Sequence, residues 1–337
     1  MHSQLNQLLD QIRNPAKRNW IIMVPNSLAE TVAVCGLARA FVEMHGHGIT
    51  LVIPPSHAFV IDCYPNTFDR VVYMSLEDMR AFSTSGFTPP HFFQLDFPIN
   101  TWPQQHGDGR LYALYELWMD SVGRSGLDFI NLYRYVLHLN WNSKFEFLRV
   151  PESSYADADQ MIKANGMKKG KSVIFFIGNN SNSPSPAALW MKIAELYQAK
   201  GFDVYINKLG AMFVPEGLSI SDAKFIDIPL HLAVPMCEHA GHVVSGTNGF
   251  VFMALAAHIQ ATMNILLPTA VCNDYVNFTF KEVSYVSGCT QLCAPDVTCN
   301  AYNLKEWIVP SGQSEVEWDA IAQGIVENQN NAFTISS

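Results

Sequence analysis

Short apolar runs alternate along this chain with longer amphipathic stretches, separated by polar or glycine-containing turns. Residues 19–24 (NWIIMV) predict a strand, because an unbroken apolar run of that length suits a strand covered on both faces. A polar turn at 25–30 follows, then a helix over about 31–44, ended by His45-Gly46-His47-Gly48 with glycine where a helix terminus favours it. Strands are predicted again at 49–53 and 69–73, with Pro54-Pro55-Ser56 opening a helical stretch between them. This β-α-β-α-β alternation implies a parallel sheet with right-handed crossovers. Residues 75–142 give a weaker pattern: an aromatic- and proline-rich section, then a helical run over 111–122. Aromatics there ordinarily belong to a core, although irregular segments also shape binding sites.

The alternation restarts after a polar, helix-prone stretch at 151–165 and a basic turn at 166–171, together read as a linker. Strands are predicted at 172–177, 203–206, 224–228, 242–244 and 261–267, and helices at 187–200 and 230–240. The expected organisation is therefore α/β, with two Rossmann-like domains at 1–160 and 161–337 facing a cleft. At the middle of the second half stands VVSGTNGFVFMALAAH, residues 243–258: a strand, a tight turn and a buried helix. In an open α/β sheet such a turn lies at the carboxyl end of a strand, with backbone N–H groups and the helix dipole aimed at any ligand. An ordinary βα turn reads the same way.

Composition narrows the field. Hydrophobic residues make up 49% and charged residues 15% of the 337, which excludes a mainly disordered chain. A formal net charge of −9 argues against a general nucleic-acid binder, whose affinity rests on Lys and Arg. No run reaches the roughly 18 apolar residues that a bilayer span needs, and the polar N-terminus lacks the apolar core of a signal peptide. Arg13, Lys17 and Arg18 either touch a membrane surface or sit on a solvated helix face. Seven cysteines, an odd number, point to reduced thiols in a cytoplasmic protein, with peripheral contact to a membrane as the open alternative.

Three loops leaving strand ends carry the candidate chemistry: 25–30, 178–186 and 245–249. The second holds Asn179, Asn180, Ser181 and Asn182 and no charge, so its side chains and amides suit phosphate oxygens without a metal. A capped surface loop has the same composition. Cys289, Cys293 and Cys299 have no standard zinc spacing, and Asp157 and Asp159 fall in the linker pattern, so no metal site is expected. His45 and His47 sit at a helix end, where cation–dipole contact is the ordinary reason for them.

Taken together, IIMVPNSLAETVAVCGLARAF, VIFFIGNNSNSPSPAALWMKIAELYQAKGFDVYI and the 243–258 stretch resemble the ADP-heptose:lipopolysaccharide heptosyltransferases, glycosyltransferase family 9, with the GT-B fold. The resemblance implies an N-terminal acceptor-side domain and a C-terminal domain for a nucleotide-sugar donor, an ADP-sugar by analogy. The acceptor would be a glycan, a lipid-linked saccharide or a protein, and no further cofactor is implied. Glu30 stands where the family has an aspartate thought to be the base. Thr247, Asn248 and Gly249 align with an Asp-Thr/Ser-Gly turn, and Glu216 with an acid that contacts the ribose. Two departures accompany these matches: Phe252 replaces the family's histidine, and no lysine falls within 181–186. The implied activity is metal-independent, inverting transfer of a hexose or heptose, with Glu30 as general base. A non-catalytic nucleotide- or sugar-binding protein and a sugar-nucleotide epimerase of the same fold are the alternatives.

Overall fold

The computed structural model of the chain describes residues 7, 10, 12, 19–24, 28–79, 92–94, 129–177, 185–208, 215, 217–246, 248–268, 304–309 and 315–327. The chain forms two compact units, Met1–Arg149 and Val150–Ser337.

The first unit is built on β1 (Trp20–Met23), β2 (Ile49–Ile53), β3 (Arg70–Tyr73) and β4 (Phe92–Gln94), in the order β3-β2-β1-β4. Every pairing is parallel. β2 is buried at each position, as its unbroken ITLVI run requires of a strand covered on both faces. Helix α1 (Leu28–His45) is buried at nearly every position from Ala29 to Phe41. The two prolines after β2 give a 3-10 turn, Pro55–His57, and only then the short α2 (Ala58–Asp62), because proline favours the first turn of a helix and cannot serve its interior. Helix α3 (Phe129–Val136) packs on α1. Ile21, Met23, Val52, Met74 and Met79 gather with Ile12 into one core cluster. The chain runs outward from β1 to β3, and β4 then lies on the opposite side of β1. The strand order therefore reverses beside β1, directly before α1.

The second unit begins with α4 (Glu152–Asn165), the stretch expected to be a linker. The helix packs against α6 (Leu230–Ala240), with the Tyr155 hydroxyl donating to Glu238 Oε2 at 3.1 Å. The expected boundary at 160/161 falls inside this helix. Its outward positions, Asp157 and Asp159 among them, are exposed, while Ser154, Ala158 and Ile162 are buried. That three-to-four residue spacing marks an amphipathic face, which polarity alone concealed.

The remaining elements are β5 (Ser172–Phe176), α5 (Ala187–Ala199), β6 (Asp203–Asn207), β7 (Lys224–Ile226), β8 (Gly241–Gly246), α7 (Gly249–Ala256), β9 (Thr262–Pro268), β10 (Leu304–Val309) and α8 (Glu315–Glu327). The sheet order is β10-β9-β8-β5-β6-β7, again wholly parallel. Phe175, Leu189, Trp190, Ile193, Tyr197, Ala322 and Ile325 belong to one core, which sets α5 and α8 against the sheet. Gly241 ends α6 at φ +86° and opens β8; a side chain there would press on Gly170.

Candidate functional site

In the second unit the chain lays down β5, β6 and β7 in one direction and then places β8 on the other side of β5. This is a topological switch point, and in open α/β sheets ligands bind beyond the carboxyl ends of the strands at such a point. The register pairs Phe176 with Ser245, so the two strands end side by side. The loop after β5 and the turn after β8, singled out separately in the sequence, thus leave neighbouring strands.

The turn after β8 is stabilised by its own side chains. Asn248 is the N-cap of α7: its Oδ1 accepts from Val251 N at 3.2 Å, and its Nδ2 donates to Ser245 Oγ at 3.1 Å. Ser245 is fully buried and its hydroxyl donates to the Gly246 carbonyl at 2.8 Å. Phe176 and Phe250 stack with ring centroids 4.0 Å apart at 15°, which fastens the first turn of α7 to the end of β5. Gly249 is the first residue of the helix and is buried. The helix N-terminus and its partial positive charge are therefore held rigidly at the carboxyl edge of the sheet. Phe252, where the resemblance places an imidazole, is half-buried on the same helix. Asn179, Asn180, Ser181, Asn182, Glu216 and Thr247 lie outside the described residues, as do Cys289, Cys293 and Cys299.

In the first unit Glu30 occupies the first turn of α1, after the strand at which the sheet order reverses. It is only 9% exposed. Tyr133 of α3, fully buried, lies near the carboxylate: burial first, then the negative charge of Glu30, push the phenol pKa well above its ordinary value. The adjacent Thr31 hydroxyl lies 2.8 Å from His57 Nδ1. Burial pushes the His57 imidazole down to about 4, so it is neutral at pH 7. Sequence reasoning singled out Glu30 as a candidate but not its neighbours Tyr133 and His57. Tyr133 lies far along the chain in a segment of weak pattern. His57 carried one signal, its place just after a strand beside a Pro-Pro turn.

His45 Nε2 contacts the Leu137 carbonyl at 3.0 Å, and its ring packs on Phe41 and Trp20. Among the described residues no group of three His, Cys, Asp or Glu could hold a metal ion, and no helix is long and apolar enough to cross a membrane.

No protein-family model matches the sequence, and a search of curated proteins finds no match. Solved structures do match. An E. coli ADP-heptose LPS heptosyltransferase II superposes with a TM-score of 0.58 at 13% identity, over 93% of this chain and 98% of that one. A glycosyl transferase family 9 protein from Veillonella parvula DSM 2008 gives 0.53 at 11% identity, over 95% and 97%. At these identities the likeness is one of fold. The α/β, GT-B-type fold expected from the sequence resemblance is the fold of this chain.

Proposed function

We propose that this chain is a metal-independent inverting glycosyltransferase that moves a hexose or heptose from a nucleotide sugar to a glycan, lipid-linked or protein acceptor. The observation that carries the reading is the β5–β8 switch point, where a capped helix N-terminus stands next to the end of the strand that leads into the Asn- and Ser-rich loop. The E. coli and Veillonella structures that share the fold add support, since their names describe glycosyl transfer.

In this reading the donor diphosphate lies between Asn179, Asn180, Ser181 and Asn182 and the Thr247-Asn248-Gly249 turn. Glu216 takes the ribose, and an ADP-sugar is the first donor to test. The dipole of α7, worth about 0.3–2 kcal/mol for a nearby charge, stabilises the leaving nucleoside diphosphate in the role a metal has elsewhere. Glu30 removes the proton of the acceptor hydroxyl while its oxygen bonds to the anomeric carbon and the bond to the diphosphate breaks. Attack opposite the leaving group inverts that carbon. The reaction belongs in the cytoplasm, where nucleotide sugars are available, at the surface of the inner membrane if the acceptor is lipid-linked.

Glu30→Gln is the direct test. It should cut turnover by roughly 10²–10⁴-fold, the usual worth of a general base, and leave donor affinity within about twofold. Unchanged turnover removes Glu30 from the mechanism. A wild-type chain that binds no nucleoside diphosphate in calorimetry removes the proposal itself.

A second reading, a non-catalytic nucleotide- or sugar-binding protein, is favoured by two observations: Glu30 is buried against Tyr133, and Phe252 stands at the imidazole position. Donor binding without transfer to any acceptor class would select it. Altered sugar nucleotide released with no acceptor present would instead select an epimerase.

A further inference from the structure

The carboxyl edge of the first sheet carries a polar side chain that the proposed reaction leaves unused. β1 and β2 are parallel neighbours, and both end there: Glu30 follows β1, and His57 follows β2 at the close of the turn Pro55–His57. The strand order reverses beside β1, so this is the edge at which an open α/β sheet takes its ligands.

His57 is held firmly in place. Pro54 and Pro55 restrict the backbone that leads to it, and its N–H donates to the Pro54 carbonyl at 3.0 Å. The residue is the N-cap of α2, yet its side chain makes no capping bond to that helix. The ring turns instead to α1, where Nδ1 lies 2.8 Å from the Thr31 hydroxyl. Thr31 directly follows Glu30, and consecutive Cα atoms are about 3.8 Å apart, so the imidazole is fastened beside the proposed base. Only 8% of His57 is exposed. Nε2 has no partner among the described residues and is not one of the fully enclosed unpartnered atoms, so solvent reaches it. A ring tethered at one nitrogen and open at the other offers one oriented hydrogen-bonding position.

Charge narrows what that position can take. Burial keeps the imidazole neutral at pH 7. The described residues that follow β1, β2 and β3 at this edge, 28–30, 54–57 and 74–79, include Glu30, Glu77 and Asp78 and neither lysine nor arginine. A phosphate or carboxylate would meet acids there without a compensating cation, a costly juxtaposition. A hydroxyl is uncharged and both donates and accepts, so it fits Nε2 in either tautomer.

We propose that His57 Nε2 binds a hydroxyl of the acceptor, and that the sugar ring meeting Glu30 is a neutral saccharide. This assignment rests on the transferase reading above and names the acceptor chemistry that it left open. His57 holds one hydroxyl while a neighbouring hydroxyl is presented to Glu30. Thr31 is a positioning residue, acting through the ring that it orients.

The test follows the histidine ring nitrogens of the full chain by NMR. The probes are methyl glycosides of glucose, galactose, mannose and N-acetylglucosamine, and the 6-phosphates of the same sugars. At least one neutral glycoside should shift the His57 Nε2 signal saturably, with its 6-phosphate weaker by about tenfold or more because of the uncompensated acids. Two variants separate ligand binding from packing, with affinity read from saturation transfer to the glycoside. His57→Asn sets an amide near the Nδ1 position, keeping a partner for Thr31 but losing the group at Nε2. It should weaken the glycoside by about three- to tenfold, as expected for one lost hydrogen bond. His57→Gln reaches the Nε2 position and should restore much of that affinity. The opposite order belongs to a ring that only packs against Thr31, and it overturns the proposal, as does the absence of a shift with every neutral glycoside. A 6-phosphate that binds as tightly as its neutral glycoside overturns the uncharged acceptor. Calorimetry with ADP reads the donor site of the second unit separately. ADP binding without glycoside binding sinks this proposal alone; glycoside binding without ADP binding sinks the transferase reading and not the His57 site.

Discussion

His57 and His242 are each held neutral inside a folded unit, at about 4, by burial alone for His57 and by burial and then Lys171 for His242. An unfolded histidine titrates near 6.5. Between those values the unfolded chain binds more protons than the folded one. Stability is therefore complete above about pH 6.5 and falls as the pH drops toward 4. Each histidine contributes a slope of up to about 1.4 kcal/mol per pH unit in that window. Thermal melts at pH 7 and pH 5 should show the loss, and His57→Gln, next to Thr31, should flatten part of it. A melting temperature that is the same at both pH values would contradict the burial of these rings. The place of Glu30 in the first turn of α1 was legible in the sequence because an acid at a helix start after a strand is a local pattern. Its neighbour Tyr133 was not, since only folding brings α3 onto α1.

At the level of the element, α7 separates two roles of one residue. Asn248→Ala removes the cap from Val251 N, which costs about 1 kcal/mol, or roughly 2–4 °C for a unit of this size. Asn248→Asp keeps the capping oxygen but puts a negative charge where the donor diphosphate is expected. It also loses the Nδ2 donation to Ser245 Oγ, so it should restore only part of the melting temperature lost by the alanine variant and still weaken nucleoside diphosphate binding; weakening by Ala but not by Asp would leave the turn as a helix cap only. Most strands were legible because parallel strands buried on both faces read as unbroken apolar runs, as SVIFF and ITLVI do. β4 was not, being three residues inside an aromatic-rich section where core and loop look alike. β10 (LKEWIV) was hidden by its two charges, which fit the edge position it occupies in the sheet.

At the level of the whole molecule, the second unit has its own core and its own switch point. A fragment starting at Val150 should thus fold cooperatively and bind nucleoside diphosphate about as well as the full chain, by calorimetry and circular dichroism; a fragment without a cooperative melt would show that its core is incomplete. The repeated alternation made two units legible, while the amphipathic face of α4 moved their division to Arg149–Val150. The placement of β8 beside β5 also sets a timetable. β5 pairs on one side with β6, its near neighbour in the chain, and on the other with Gly241–Ser245, which is synthesised long afterwards. Closing so large a loop slows that step. During translation one edge of β5, SVIFF, stays open until β8 emerges, and an apolar open edge is where chains stick to one another. The switch point that shapes the candidate donor site therefore also makes its completion late, so a nucleoside diphosphate present during refolding should raise the yield of soluble chain.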